Sequence, residues 1–401
     1  MRKIRLIIAG CLLMGASSIR AEMQPSQEAS QRLFVANRDS DYVSVIDLKT
    51  MQLSKKIGLE PLSSAHMTMA WTDNNGRQKL LVSLTGRNEV AIVDVEKGII
   101  EAKLPVGRSP EHFAIQKSKE FPDYVAYVAN IEDGSISVID LGKNVEVKRM
   151  SGFHEPHGVT FNSDGSKAYI ANLGAHRVDI VDSAKCEIVK QLSTGDIDQV
   201  ALKNPQRYLS EIKGIVNVTL TPDGRTAYAA DGDSNLVTVI DTEKDAVLKT
   251  IPVGENPWRA YSSPDGKWML VPNNGDETVS VIDSKKHSAR TTFPAGGVVT
   301  GINFVLGGKK AYALATTANE ALIHVYDLEN MKEKGTISIG KNLRLETAST
   351  SVDGKTIYVA SSVDNSIYAV DALTDKITKV SNVGVTPWGT TIEGDMASYC
   401  H

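Results

Sequence analysis

Three residues whose side chains bind metals recur at one register of this chain: His66, Glu111 and His157. Counting back seven residues from a repeated tight-turn signal, or using Pro110 as the marker for Glu111, reaches the same place in consecutive repeats. Imidazole and carboxylate are borderline ligands suited to zinc, copper or a haem iron. His112, His154 and His176 stand nearby in sequence or on the adjoining loop, so five of the eight histidines gather on one arc. The plainer alternative is a rim position that tolerates large polar residues making ordinary hydrogen bonds with water. His287 falls in an outer hairpin and His324 in a strand, where structural roles are expected.

What positions these side chains is a repeat. Eight short apolar strands end in aspartate, at Asp47, Asp94, Asp140, Asp182, Asp241, Asp283, Asp327 and Asp371. Their spacings of 47, 46, 42, 59, 42, 44 and 44 residues match one four-stranded propeller blade. Within each unit an Asp-Gly type turn, as at Asp164-Gly165, Asp223-Gly224, Asp265-Gly266 and Asp353-Gly354, precedes a strand of alternating apolar residues. Aspartates present in every unit serve turns and caps; a catalytic role would not need eight copies.

The expected fold is all-β, an eight-bladed β-propeller, with seven blades as the alternative. Residues 33–57 supply only three strands, while Pro387 to Ile392 reads as an innermost strand with nothing after it. Pairing these fragments in one blade closes the ring and removes its open edge. The expected organisation is a signal peptide over 1–21, a linker over 22–32, the propeller over 33–395 and a tail over 396–401. The segment 194–214 is an insertion between the fourth and fifth blades, either a surface elaboration or a lid.

Met1 to Arg5 is basic, Leu6 to Ser18 mostly apolar, and Ile19-Arg20-Ala21 offers a cleavage site, the pattern of a secretory signal. Ile8-Ala9-Gly10-Cys11 resembles a bacterial lipobox, but only Leu6 and Ile7 separate it from the basic start, which speaks against a lipid anchor. The expected location is therefore periplasmic or secreted. No later segment reaches the ~20 apolar residues of a membrane-spanning helix. Cleavage leaves 40 basic against 48 acidic residues, a balance that disfavours nucleic acid. Cys186 and Cys400 then remain, too few for a disulfide scaffold.

The strand Ala168-Tyr169-Ile170-Ala171-Asn172, the Ser-Val-Ile-Asp strands and Ile251-Pro252-Val253-Gly254 with Asn256-Pro257 resemble the YVTN family of propeller repeats. Eight blades make the chain similar also to the haem d1-binding propellers of the cytochrome cd1 nitrite reductase group. That resemblance implies a haem d1-like tetrapyrrole as an alternative cofactor to a transition metal. On this reading Trp258 and Trp388, which share the rim register, would wall a planar ligand, and Arg259 and Arg344 would pair with its carboxylates. Arg38 and Arg87 lie in loops of the same face. The nitrite reductase group also carries a C-x-x-C-H haem motif, and this chain has none.

Hydrolase, nucleotide-loop and H-E-x-x-H signatures are missing as well. The favoured reading is thus a periplasmic binding or assembly protein holding a metal or haem-like cofactor at the channel mouth. One alternative is an oxidoreductase, or its propeller subunit, drawing electrons through a periplasmic redox or assembly partner. The other is an interaction module without a small ligand.

Overall fold

The computed structural model describes residues 31–195 and 213–394. The expected signal peptide, most of the 194–214 insertion, Cys11 and Cys400 lie outside them. Eight four-stranded antiparallel sheets make the ring, which settles the blade number against seven. Blade 1 joins Arg32–Asn37, Tyr42–Asp47 and Gln52–Gly58 to the closing strand Pro387–Ile392. The inner strands of blades 2 to 8 are Ala65–Thr72, Pro110–Gln116, Pro156–Phe161, Ile215–Leu220, Tyr261–Ser262, Val298–Val305 and Leu345–Thr350.

The aspartates that mark the repeat all perform the same local task. Each accepts backbone N–H bonds two or three residues on, as Asp47 does from Lys49 and Thr50 at 2.9 and 2.8 Å and Asp371 does from Leu373 and Thr374 at 3.0 and 2.8 Å. The fourth residue after each turns left-handed, with φ of 54° at Met51 and 58° at Asp375. Together these fix the outer hairpin and its bulge.

A second repeated device joins one blade to the next. The asparagine ending the second strand is fully buried, and its amide donates to a hydroxyl seven residues on: Asn130 to Ser137 and Asn273 to Ser280, both at 3.0 Å. The glycine of the preceding blade connection packs on that amide. A Cβ on Gly254 would stand 2.6 Å from Asn273 Nδ2, so the Val-Gly and strand-ending Asn motifs are two halves of one contact.

Blade 6 departs from the repeat. Its inner strand shrinks to two residues, and Pro257 keeps only an isolated bridge to Asn273. Neither Pro257, which bridges Asn273, nor Pro272 has an N–H group to give this ladder, and Trp258 donates to Pro272 O at 2.9 Å.

The ring closes where Arg32 meets Glu393, with Nε to Oε2 at 2.9 Å and Nη2 to Oε1 at 2.6 Å, beside the Leu33 to Ile392 register. Both side chains are about four-fifths covered, so this forked pair is less screened than a surface ion pair. Arg32→Ala is expected to lower stability in urea by about 1–3 kcal/mol. Arg108→Ala, which breaks a largely exposed pair with Asp133, is expected to cost about 0.5 kcal/mol or less. Equal losses in the two variants would show that the seam is not specially clamped.

Candidate metal centre at the channel mouth

The inner strands of blades 2 to 4 begin with a bulge, because the ladder register shifts between Ala65 and Thr68, Pro110 and His112, and Pro156 and Val159. A bulge re-aims side chains, and here it turns the register residues to the mouth of the channel. The closing strand shifts likewise, placing Trp388.

His66, Glu111 and His112 come together. Each brings a ligand atom within 4.8 Å of the other two, with Glu111 Oε2 4.0 Å from His66 Nε2 and 3.9 Å from His112 Nε2. Ligands of a tetrahedral ion stand about 3.3 Å apart, so binding an ion would draw all three side chains inward from these separations. The two imidazoles meet edge to face at 5.2 Å. His157 stacks on His112 at 3.8 Å, and its Nδ1 lies 3.0 Å from Val216 O, which makes Nδ1 the protonated nitrogen and fixes the ring.

The supports beneath are equally specific. Ser83, fully buried, accepts from Met67 N at 3.0 Å and donates to Glu111 O at 3.1 Å, tying the backbone beside His66 to that of Glu111. Thr347 does the same between blade 8 and the closing strand, accepting from Thr390 N at 3.1 Å and donating to Trp388 O at 2.6 Å. Gly389 lets the closing strand press on blade 2: a Cβ there would stand 2.5 Å from His66 O.

Trp388 tilts against His66 at 5.8 Å between centroids. Two arginines flank its ring, Arg38 with Cζ at 4.4 Å and Arg344 at 5.7 Å. Arg344 also forms an ion pair with Glu346, Nε to Oε1 at 3.0 Å. Burial pushes the Glu111 carboxyl above the ordinary carboxylate range, opposed by the Arg38 charge and the Ser109 hydroxyl. Burial raises Glu346 likewise, against Ser362, Arg344 and Arg38.

Other expected residues lie elsewhere. Trp258 sits three blades from Trp388, and the two rings do not meet. Arg259 stacks at 5.1 Å on Tyr261 and lines an 830 Å³ channel cavity with Phe161, Asn217 and Phe304, toward the turn end of the inner strands. His176 faces away from the cluster, with Nδ1 2.9 Å from both oxygens of Asp231. His154 is half-buried, its pKa lowered by burial and then by Arg177. His287 accepts or donates to Tyr228 at 2.7 Å and His324 meets Glu333 at 2.7 Å, both structural contacts. Sequence reasoning placed His112 near the arc but outside the ligand set. Its signal was a histidine at the bulge position that is glycine in Gly158 and Gly389.

By fold, the chain is similar to a haem-related propeller. The dihydro-heme d1 dehydrogenase NirN in complex with DHE superposes at a TM-score of 0.72, with 14% identity, over 90% of this chain and 75% of that one. Kuenenia stuttgartiensis hydrazine synthase superposes at 0.55 with 20% identity, over 80% and 97%. In sequence, hydrazine synthase subunit beta of the same organism is 25% identical over 224 residues, 44% of this chain and 56% of that protein. The chain thus spans a little over half the length of that relative. No protein-family model matches, so the YVTN naming of the repeat gains nothing there, while the eight-bladed fold stands. Among the described residues no helix is long and apolar enough to cross a membrane.

Two outcomes follow from this geometry. Gly389→Ala should cost about 1–3 kcal/mol by overpacking and shift His66, readable as a changed His66 imidazole resonance; an unchanged resonance would show that the blades can part freely here. Glu346 binds its proton more tightly folded than unfolded, so its own contribution to stability falls as the pH rises above the ordinary carboxylate value of 4.5. Glu346→Gln lacks that contribution, so the stability of wild type minus that of Glu346→Gln, from urea denaturation between about pH 4 and pH 7, should fall as the pH rises. Parallel profiles would rule the effect out.

Proposed function

We propose that this protein is an extracytoplasmic binding or assembly propeller that holds a transition-metal ion on His66, Glu111 and His112. The observation that carries this reading is the convergence of two buried imidazoles and one carboxylate at a single mouth. Two nitrogens and an oxygen suit zinc, copper or iron(II), and a three-residue set leaves a coordination position for water or a ligand. His157 would act behind them, holding the His112 ring by stacking. The location rests on the basic and apolar start of the sequence.

A second reading draws on one further feature, the Trp388 ring flanked by Arg38 and Arg344, which suits a flat anionic ligand such as a tetrapyrrole. The likeness to a dihydro-heme d1 dehydrogenase lends it weight. The imidazoles stand only 3.8 and 5.2 Å apart and leave no slot for a macrocycle between them. A tetrapyrrole would therefore lie over the mouth against Trp388, reached from one side by the histidines. A redox role for such a complex would need electrons from a partner protein.

Calorimetry with Zn2+ or Co2+ tests the first reading. The expected result is one ion per chain, an affinity loss of about 100-fold in His66→Ala and in His112→Ala, and about tenfold in His157→Ala. Absence of stoichiometric uptake by the wild type rejects it. An absorption spectrum of protein purified from its native compartment separates the readings, since a tetrapyrrole would show an intense visible band.

A further inference from the structure

We propose that the metal centre takes a small anion, a carboxylate or an inorganic oxyanion, whose charge is met by Arg38 on the Trp388 side of the mouth. The inference rests on the metal reading and adds the chemistry of what the bound ion would receive.

A divalent ion beside the Glu111 carboxylate leaves one positive charge. Arg344 and Glu346 cancel each other at 3.0 Å. Glu132, whose charge reaches Glu111, has Arg108 at 4.0 Å. Arg38 makes no ion pair with any described residue, although its charge acts on both Glu111 and Glu346. Among the described residues, about two positive charges therefore face the mouth without an answering acid, in a site where burial weakens screening.

Geometry supplies the rest. A guanidinium stacked on an aromatic face keeps its planar N–H edge for other acceptors, and Arg38 is stacked in this way on Trp388 at 4.4 Å. Trp388 in turn leans on His66 at 5.8 Å, so the free donor edge and the metal ligands share one wall. The Arg38 backbone is pinned as well, its N–H donating to Thr386 O at 3.0 Å across the seam. A monoanion binding there would take hydrogen bonds from Arg38 and complete the coordination of the ion, displacing water.

The test uses the full-length protein loaded with Co2+, whose visible bands report a change of ligand, titrated with azide. Saturable band shifts are expected, with the azide dissociation constant weakened about tenfold or more in Arg38→Gln and less in Arg38→Lys, which keeps the charge. Arg149→Gln, which breaks a pair with Glu146 on an outer strand, should match wild type. Competition by acetate points to a carboxylate and competition by sulfate to a tetrahedral oxyanion. Equal azide affinity in wild type and both Arg38 variants overturns the inference, as does a Co2+-loaded protein that ignores azide. Failure of the wild type to take up Co2+ in the first place rejects the metal reading, and this inference falls with it.

Discussion

Eight inner strands converge on one axis, and each presents an unpaired sheet edge to the channel. Backbone carbonyls on such an edge need partners, and water in a narrow channel serves only some of them. This chain answers with side chains from the neighbouring blade. Thr160 donates to Val218 O at 2.7 Å, Thr219 to Ala260 O at 2.6 Å, Asn303 to Ala348 O at 3.2 Å and Thr347 to Trp388 O at 2.6 Å, while Thr391 reaches Thr68 O across the seam. The same bonds that satisfy the edges also sew adjacent blades together, so the ring and the channel lining are one interaction network.

His157 belongs to that network before it belongs to any chemistry. Its Nδ1 serves the Val216 carbonyl as threonine hydroxyls serve theirs elsewhere, and only the remaining face of the ring is left for His112. The candidate metal centre is thus a local rewriting of the sewing pattern on blades 2 to 4. Where Gly158 and Gly389 let a neighbouring backbone close in, His112 fills the space with a side chain. The fold needs a residue at each of these positions; the chemistry depends on which one.

Much of this was legible in the sequence because it is periodic. The capping aspartates fixed the blade length, and counting from the turns aligned His66, Glu111, His157 and Trp388 at one mouth. What escaped was everything that depends on contact between blades rather than position within one. His112 is one residue past the aligned register, and nothing in its own blade says that it meets His66 from the blade before. Arg259 follows a rim residue yet reaches into the turn end of the channel, because Pro257 and Pro272 break the ladder that would have aimed it. The Arg38 stack on Trp388 joins opposite ends of the chain, a pairing no local pattern encodes.

That pairing also makes the mouth a product of ring closure. Arg38 follows the first strand of blade 1 and Trp388 lies in its last, so neither can flank the histidines until the final strand has docked. Docking presses Gly389 on His66 and engages Thr347 with Trp388 O, so one event completes the ring, braces His66 and builds the cationic wall beside it. An unclosed chain could still form blades 2 to 4 and bring His66, Glu111 and His112 near one another, because those contacts run between consecutive blades. It would lack the Arg38–Trp388 wall. The proposed metal and anion sites therefore draw on different contacts: the first mainly on those between blades 2 and 3, the second also on the Arg38–Trp388 pair at the seam.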